Sequence, residues 1–154
     1  MTIWGKLIFV LTISSQSNHL GYDDIQRTFK KGRCQSCHHA DNDTKFLLSL
    51  IKEAGFDMAE CFVTAPMVHC TLAEARQDWG NDVIIWGGIP SSILCPPVTD
   101  EVFEMYMEDL FRTIVPGDAF ILGVADNVMP DAYIERVIRV SEMVEAYGKY
   151  PVGV

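Results

Sequence analysis

Short, almost uniformly apolar runs alternate along this chain with longer stretches whose apolar residues recur every three or four positions. The runs are Arg33–Cys37, Asp57–Val63, Asp82–Gly87 and Ala119–Val124. Their lack of polar alternation predicts parallel strands buried on both faces. A helical pattern follows each run. Thr44–Ala54 carries Phe46, Leu47, Leu50 and Ile51; the next helices carry Val102, Phe103, Tyr106, Leu110, Phe111 and Ile114, and Ile134, Val137, Ile138, Val144 and Tyr147. These positions are predicted core stripes.

Helix boundaries agree with that division. Thr71-Leu-Ala-Glu74 is a capping box, Thr99 and Asp100 open a helix, and Asp131 after Pro130 opens another. Gly55, Gly80 and Pro116-Gly117 end helices. Right-handed crossovers would set all four strands parallel, with helices outside and the carboxyl ends of the strands on one rim.

Four βα units make half of a (β/α)8 barrel, whose closed form takes roughly 250 residues. The chain has 154. The expected class is therefore α/β, a partial (β/α)8 TIM barrel with about four parallel βα units, rather than an open sheet completed by the first 30 residues. Residues 1–21 stand apart as a first strand or weak leader, and 22–154 form the barrel-like domain.

Charge narrows the partners. Twelve basic against 21 acidic residues give a net charge of −9, and the basic residues form no cluster beyond Lys30, Lys31 and Arg33. Nucleic acid is an unsuitable partner. The longest apolar run, Leu7–Ile13, is far short of the roughly 20 residues needed to span a bilayer. Five cysteines, an odd number, with Cys61 and Cys95 in apolar settings, fit reduced thiols and a cytoplasmic protein.

Chemistry collects where the strands end. His39 and Asp41 follow the first run, Glu60 lies in the second, Ser91 and Ser92 follow the third, and Asp126 and Asn127 follow the last. An imidazole with several carboxylates can ligate a metal or divide acid and base roles. The same residues also have plain structural readings, as a loop histidine, a paired glutamate and a turn aspartate. Cys34-Gln-Ser-Cys37-His38 matches the C-x-x-C-H pattern of covalent haem attachment, and its thiols and imidazole are also zinc donors. His69-Cys70 pairs a base with a nucleophile, but no third group is evident beside them.

Tyr22–Val152 resembles the C-terminal part of the uroporphyrinogen decarboxylase family, which also includes corrinoid- and thiol-directed methyltransferases. The residues that carry the likeness are Gly55-Phe-Asp-Met-Ala-Glu60, Thr71-Leu-Ala-Glu-Ala-Arg-Gln-Asp-Trp-Gly80, Trp86-Gly-Gly-Ile-Pro90, and Phe120-Ile-Leu-Gly123 leading to Asp126-Asn127-Val-Met-Pro130-Asp131. The resemblance implies a (β/α)8 barrel of which this chain is a part, with its site at the carboxyl ends of the strands. It implies a lyase of tetrapyrrole metabolism that decarboxylates a porphyrinogen-type small molecule without a cofactor. That placement of the site agrees with the rim read from the strands, whose candidate catalytic residues are His39, Asp41, Glu60 and Asp126.

The alternative in the same superfamily is a zinc-dependent methyltransferase. His39-Ala-Asp41 would match its His-x-Cys pair with aspartate for cysteine, and Asp126 would stand near its later cysteine, giving His39, Asp41 and Asp126 as metal ligands. Asp126 also takes the approximate place of a histidine found in the decarboxylases, and Asn42 replaces a common glycine. An alternative of another class is a metal- or haem-binding protein built on Cys34, Cys37 and His38. The arginines with which family decarboxylases bind substrate carboxylates belong to early strands outside the match. The isolated chain is accordingly expected to turn over weakly and to associate, with itself or with a missing barrel half.

Overall fold

The computed structural model describes residues 36–115 and 117–148. The predictions for residues 1–21 and for Arg33–Gln35, and Cys34 with them, lie outside these residues. Element order is β1 (Cys37–His39), α1 (Leu48–Glu53), β2 (Met58–Phe62), α2 (Leu72–Trp79), β3 (Ile84–Pro90), a 3-10 turn (Ser91–Leu94), α3 (Asp100–Ile114), β4 (Phe120–Ala125) and α4 (Ile134–Tyr147). The four strands form one sheet in the order β1-β2-β3-β4, and every neighbouring pair is parallel. The chain is thus α/β with a parallel sheet, as the alternating runs predict.

Sequential strand order with like-handed crossovers brings the helices to one face of the sheet. Ala59, Phe62, Ile85, Ile89, Phe120, Leu122 and Val124 point into a single core with buried residues of all four helices. The intervening residues Met58 and Ile121, with half-buried Ile84 and Trp86, make a second, smaller cluster on the opposite face. At the centre of the main core Trp79 is fully buried, and its indole N–H donates to the Leu48 carbonyl at 2.8 Å.

Caps set the helix starts. The Thr71 side chain accepts from the Glu74 N–H while Glu74 accepts from the Thr71 N–H, the reciprocal box expected from sequence. The Thr99 side chain accepts from the Val102 N–H and starts α3. Asp131 does not start α4, whose first residue is Ile134 after Tyr133.

Several predicted stripe positions are corrected. Helix α1 begins only at Leu48, so its inward pair is Leu48 and Ile51, and Phe46 (88 % exposed), Leu47 and Leu50 face outward. Val102 lies one residue off the buried row of α3, which runs through Phe103, Met107, Leu110, Phe111 and Ile114. Helix α4 packs along Val137, Val140 and Met143, leaving Ile134 and Ile138 on an outward row. Tyr147 is half-exposed yet still meets Phe111 edge-on, with ring centroids 6.1 Å apart.

Strand β3 runs three residues past the predicted end at Gly87. A side chain at Gly87 would sit 2.6 Å from the Phe62 carbonyl oxygen, and one at Gly88 would sit 2.8 Å from the Phe120 ring. Both glycines also have positive φ, 141° and 90°. Without a Cβ at either position, β2 and Phe120 close against β3 and the strand continues to Pro90.

Candidate active site

His39, Asp41, Ser91, Ser92, Asp126 and Asn127 lie at or just beyond the carboxyl ends of their strands, and Glu60 lies at the middle of β2. His39 ends β1 and is in register with Glu60 on β2, which sets their side chains on the same face. His39 Nδ1 is hydrogen-bonded to Glu60 Oε1, and Nε2 lies 3.5 Å from Asp41 Oδ2. One imidazole thus stands between two carboxylates. The pKa of His39 is raised above its ordinary value, chiefly by the hydrogen bond to Glu60, which outweighs desolvation, with the charges of Glu60 and Asp41 adding to it. Its positive charge is stabilised on both sides, more than that of a free imidazole.

Strand β2 bends where the site needs it. Ala59 pairs with Ile85 and Phe62 with Gly87, so Glu60 and Cys61 together oppose the single residue Trp86, a β-bulge. Cys61 takes φ of 57°, in the left-handed region. Regular alternation would send Glu60 and Cys61 to opposite faces, but the bulge re-aims the second. The Cys61 sulfur accepts the Asp126 N–H at 3.0 Å, tying the end of β2 to the end of β4 across β3. Asp126 has φ of 64°, a conformation Asp tolerates better than most residues. Burial pushes the Cys61 thiol above its usual pKa, and the charges of Glu60, Asp126 and Asp41 add to that despite the opposing Asp126 amide bond. Cys61 is therefore a neutral thiol among carboxylates.

The structure brings His39, Asp41 and Glu60 into direct contact and joins Asp126 to them through Cys61. Among the described residues no hydrogen bond or ion pair links the Asp126 carboxylate to His39, and Asn127 is exposed beyond it. Ser91 has a structural role, since its buried hydroxyl donates to the Ala125 carbonyl at 2.9 Å and clamps the ends of β3 and β4. The Ser92 hydroxyl is buried without a partner among the described residues. Cys37 is exposed, whereas His38 turns to the other face and packs on Phe56, ring centroids 5.3 Å apart. Neighbours in the C-x-x-C-H pattern thus point to opposite sides of the sheet.

The zinc reading asks His39, Asp41 and Asp126 to surround one ion. Both His39 ring nitrogens face carboxylates, and among the described residues no group of three or more His, Cys, Asp or Glu is arranged to hold a metal. Cys61 is a site residue that sequence reasoning missed, because the sequence presents it only as a thiol in an apolar setting and no sequence signal marks the bulge.

The loop between β3 and α3 is fixed from below. Arg136 of α4, 5 % exposed, donates from Nη1 to the carbonyls of Ile93 at 3.0 Å and Cys95 at 3.4 Å, and from Nη2 to Asp100 Oδ1 at 2.9 Å. Its guanidinium also lies 4.9 Å from the Tyr133 ring centroid and 5.4 Å from that of Phe103. No family model, curated protein or solved structure matches the chain. No described helix is long and apolar enough to cross a membrane.

Proposed function

We propose that the chain carries the acid–base half of a decarboxylase site related to the uroporphyrinogen decarboxylase family. The observation that supports this is His39 held between Glu60 and Asp41, with its pKa raised by their contact. Decarboxylation leaves an electron pair on carbon when the bond to the carboxyl carbon breaks and CO2 departs. A proton must then be delivered to that carbon. His39 Nε2–H is suited to the task, because its contact with Asp41 is looser than the Nδ1 bond to Glu60 and can yield to a substrate. Glu60 keeps the ring oriented and compensates its charge. The Cys61–Asp126 link fixes the far side of the rim.

The test is CO2 release from uroporphyrinogen, by the chain alone and mixed with the N-terminal half of a family barrel. Wild type is expected to release CO2 in at least one preparation, and His39→Gln to lose about 100-fold or more, the usual weight of a positioned proton donor. Equal turnover by the two proteins, or none by wild type in either preparation, contradicts the reading. Stoichiometric zinc in the purified chain would favour the methyltransferase alternative, for which Cys61 supplies a sulfur beside Asp126.

A further inference from the structure

The two ends of the sheet are alike in what they leave uncovered. Among the described residues β1 pairs only with β2 and β4 only with β3, so each has one backbone edge that no described strand meets. The helices beside them repeat the pattern. Helix α1 meets α2 through Ser49, whose hydroxyl donates to Asp78 Oδ2 at 2.8 Å, and through Lys52, whose Nζ donates to the Asp78 carbonyl at 3.1 Å. At about 100° of turn per residue, Leu47 and Leu50 fall on the flank turned away from α2. They are 44 and 58 % exposed, and the more exposed Phe46 adjoins them in the preceding turn.

Helix α4 does the same at the other end. It meets α3 through Arg136, Arg139 and Tyr147, which contact Asp100, Glu104 and Phe111. By the same helical turn Ile134 and Ile138 lie on the opposite flank, 58 and 53 % exposed. A helix inside such a layer packs on a neighbour at each side, as α2 does between α1 and α3. A single exposed leucine is ordinary on a protein surface. Here the exposed leucines and isoleucines fall on the two outer flanks, each beside an open strand edge, and so form two apolar seams, one at each end of the domain.

We propose that two copies of this chain close on each other head to tail. Strand β4 of one copy pairs with β1 of the other, the Ile134 and Ile138 flank meets the Leu47 and Leu50 flank, and the same contact repeats on the far side. A twofold axis along the strands keeps every strand parallel and brings the four of each copy to the eight of a closed (β/α)8 barrel. Residues 149–154, which follow α4, are too few to form a further βα unit of roughly 30 residues beside it. A stable interface buries about 800 Å2 on each partner. One flank with two apolar side chains falls short of that, whereas the closed pair uses both flanks and both strand edges of each copy. Both carboxyl rims then lie at one end, and the wall that each rim lacks comes from the second copy. The pairing follows from strand order and from the make-up of the flanks, whatever reaction the rim serves.

The experiment is sedimentation of the full chain over a range of concentrations, for wild type, Leu50→Lys, Ile138→Asp and an equimolar mixture of the two variants, with circular dichroism of each. Wild type is expected to be a dimer at micromolar concentration. Both substitutions fall at exposed positions, so each variant is expected to keep the wild-type spectrum; one that does not is replaced by Leu47→Lys or Ile134→Asp on the same flank. Each variant alone is expected to weaken dimerisation about 100-fold or more, because it puts an unpaired charge into both contacts. The mixture is expected to restore the dimer, since one contact is then unaltered and the other sets the introduced ammonium against the introduced carboxylate. A wild-type monomer at every concentration overturns the pairing, including one that instead binds the N-terminal half of a family barrel. Dimers that survive both substitutions overturn it, and so does dissociation by Ile138→Asp alone, which marks a symmetric α4–α4 contact. A mixture that stays monomeric, or growth of wild type beyond the dimer, also overturns it. None of these readouts involves CO2 release, so they are separate from the His39 reading.

Discussion

Arg136 and His39 are both basic side chains facing carboxylates near the same rim, yet their surroundings are opposite. Arg136 is buried, and carbonyls, Asp100 and two aromatic faces take up its donors. His39 is more than half exposed, and its partners are two carboxylates that solvent also reaches. The first arrangement spends a charge on holding a loop. The second leaves a charge where a substrate can meet it, and its protonation can change near neutral pH. A charge with every donor satisfied in the interior serves the fold, whereas one held only by ionised neighbours at a strand end is available for chemistry.

The sharpest way to break this contrast is to delete each partner in turn. Arg136→Met removes the buried cation and the donor it gives the Ile93 carbonyl, while the Cys95 carbonyl keeps the Val98 N–H, and is expected to cost about 1–3 kcal/mol in urea unfolding. His39→Gln is expected to change stability by less than about 1 kcal/mol, the range of exposed ion pairs. Similar losses in the two variants would show that His39 is structural.

Gly87→Ala tests whether the rim depends on the glycine pair beneath it. The new Cβ would meet the Phe62 backbone, which cannot rotate away, at a φ that disfavours L-residues. A loss of about 1–3 kcal/mol is expected from thermal unfolding, with displacement of the Glu60–Cys61 bulge. An unaltered melting temperature would mean that β2 and β3 have room to separate.

Smaller effects follow from charge. Because the folded pKa of His39 is raised, its contribution to stability is present below the ordinary value of 6.5 and is lost as pH rises through the raised value. Glu74 works in the other sense. Its pKa is lowered to about 2, first by the Lys45 side chain and then by the Thr71 amide and hydroxyl, so its contribution is present above 4.5 and is lost as pH falls toward 2. Unfolding midpoints measured across pH should therefore lose a neutral-range slope in His39→Gln and an acid-range slope in Glu74→Gln. Unchanged slopes would contradict these assignments.

Much of the sheet was legible because two-sided burial removes polar residues from a strand: the run at 57–63 contains β2, and those at 82–87 and 119–124 overlap β3 and β4. The helix caps were legible at Thr71 and Thr99, where capping is local. The faces of α1 and α4 were less so, because Phe46, Leu50 and Ile138 follow helical spacing without packing on the sheet. His39 could be placed on the rim from its strand end, and Glu60 beside it from its place in the neighbouring strand. The re-aiming of Cys61 depends on a bulge against β3, and a hydrogen bond between Asp43 and His69 joins loops 26 residues apart. Neither contact leaves a mark in local sequence, since both arise from tertiary packing between separate segments.

The central claim is that Glu60 holds His39 as a proton donor, and the titration of the His39 imidazole by NMR in wild type and Glu60→Gln tests it most directly. The account predicts a wild-type midpoint above 6.5 that falls toward that value when Glu60 is neutralised. A wild-type midpoint at or below 6.5, or the same midpoint in both proteins, would contradict it.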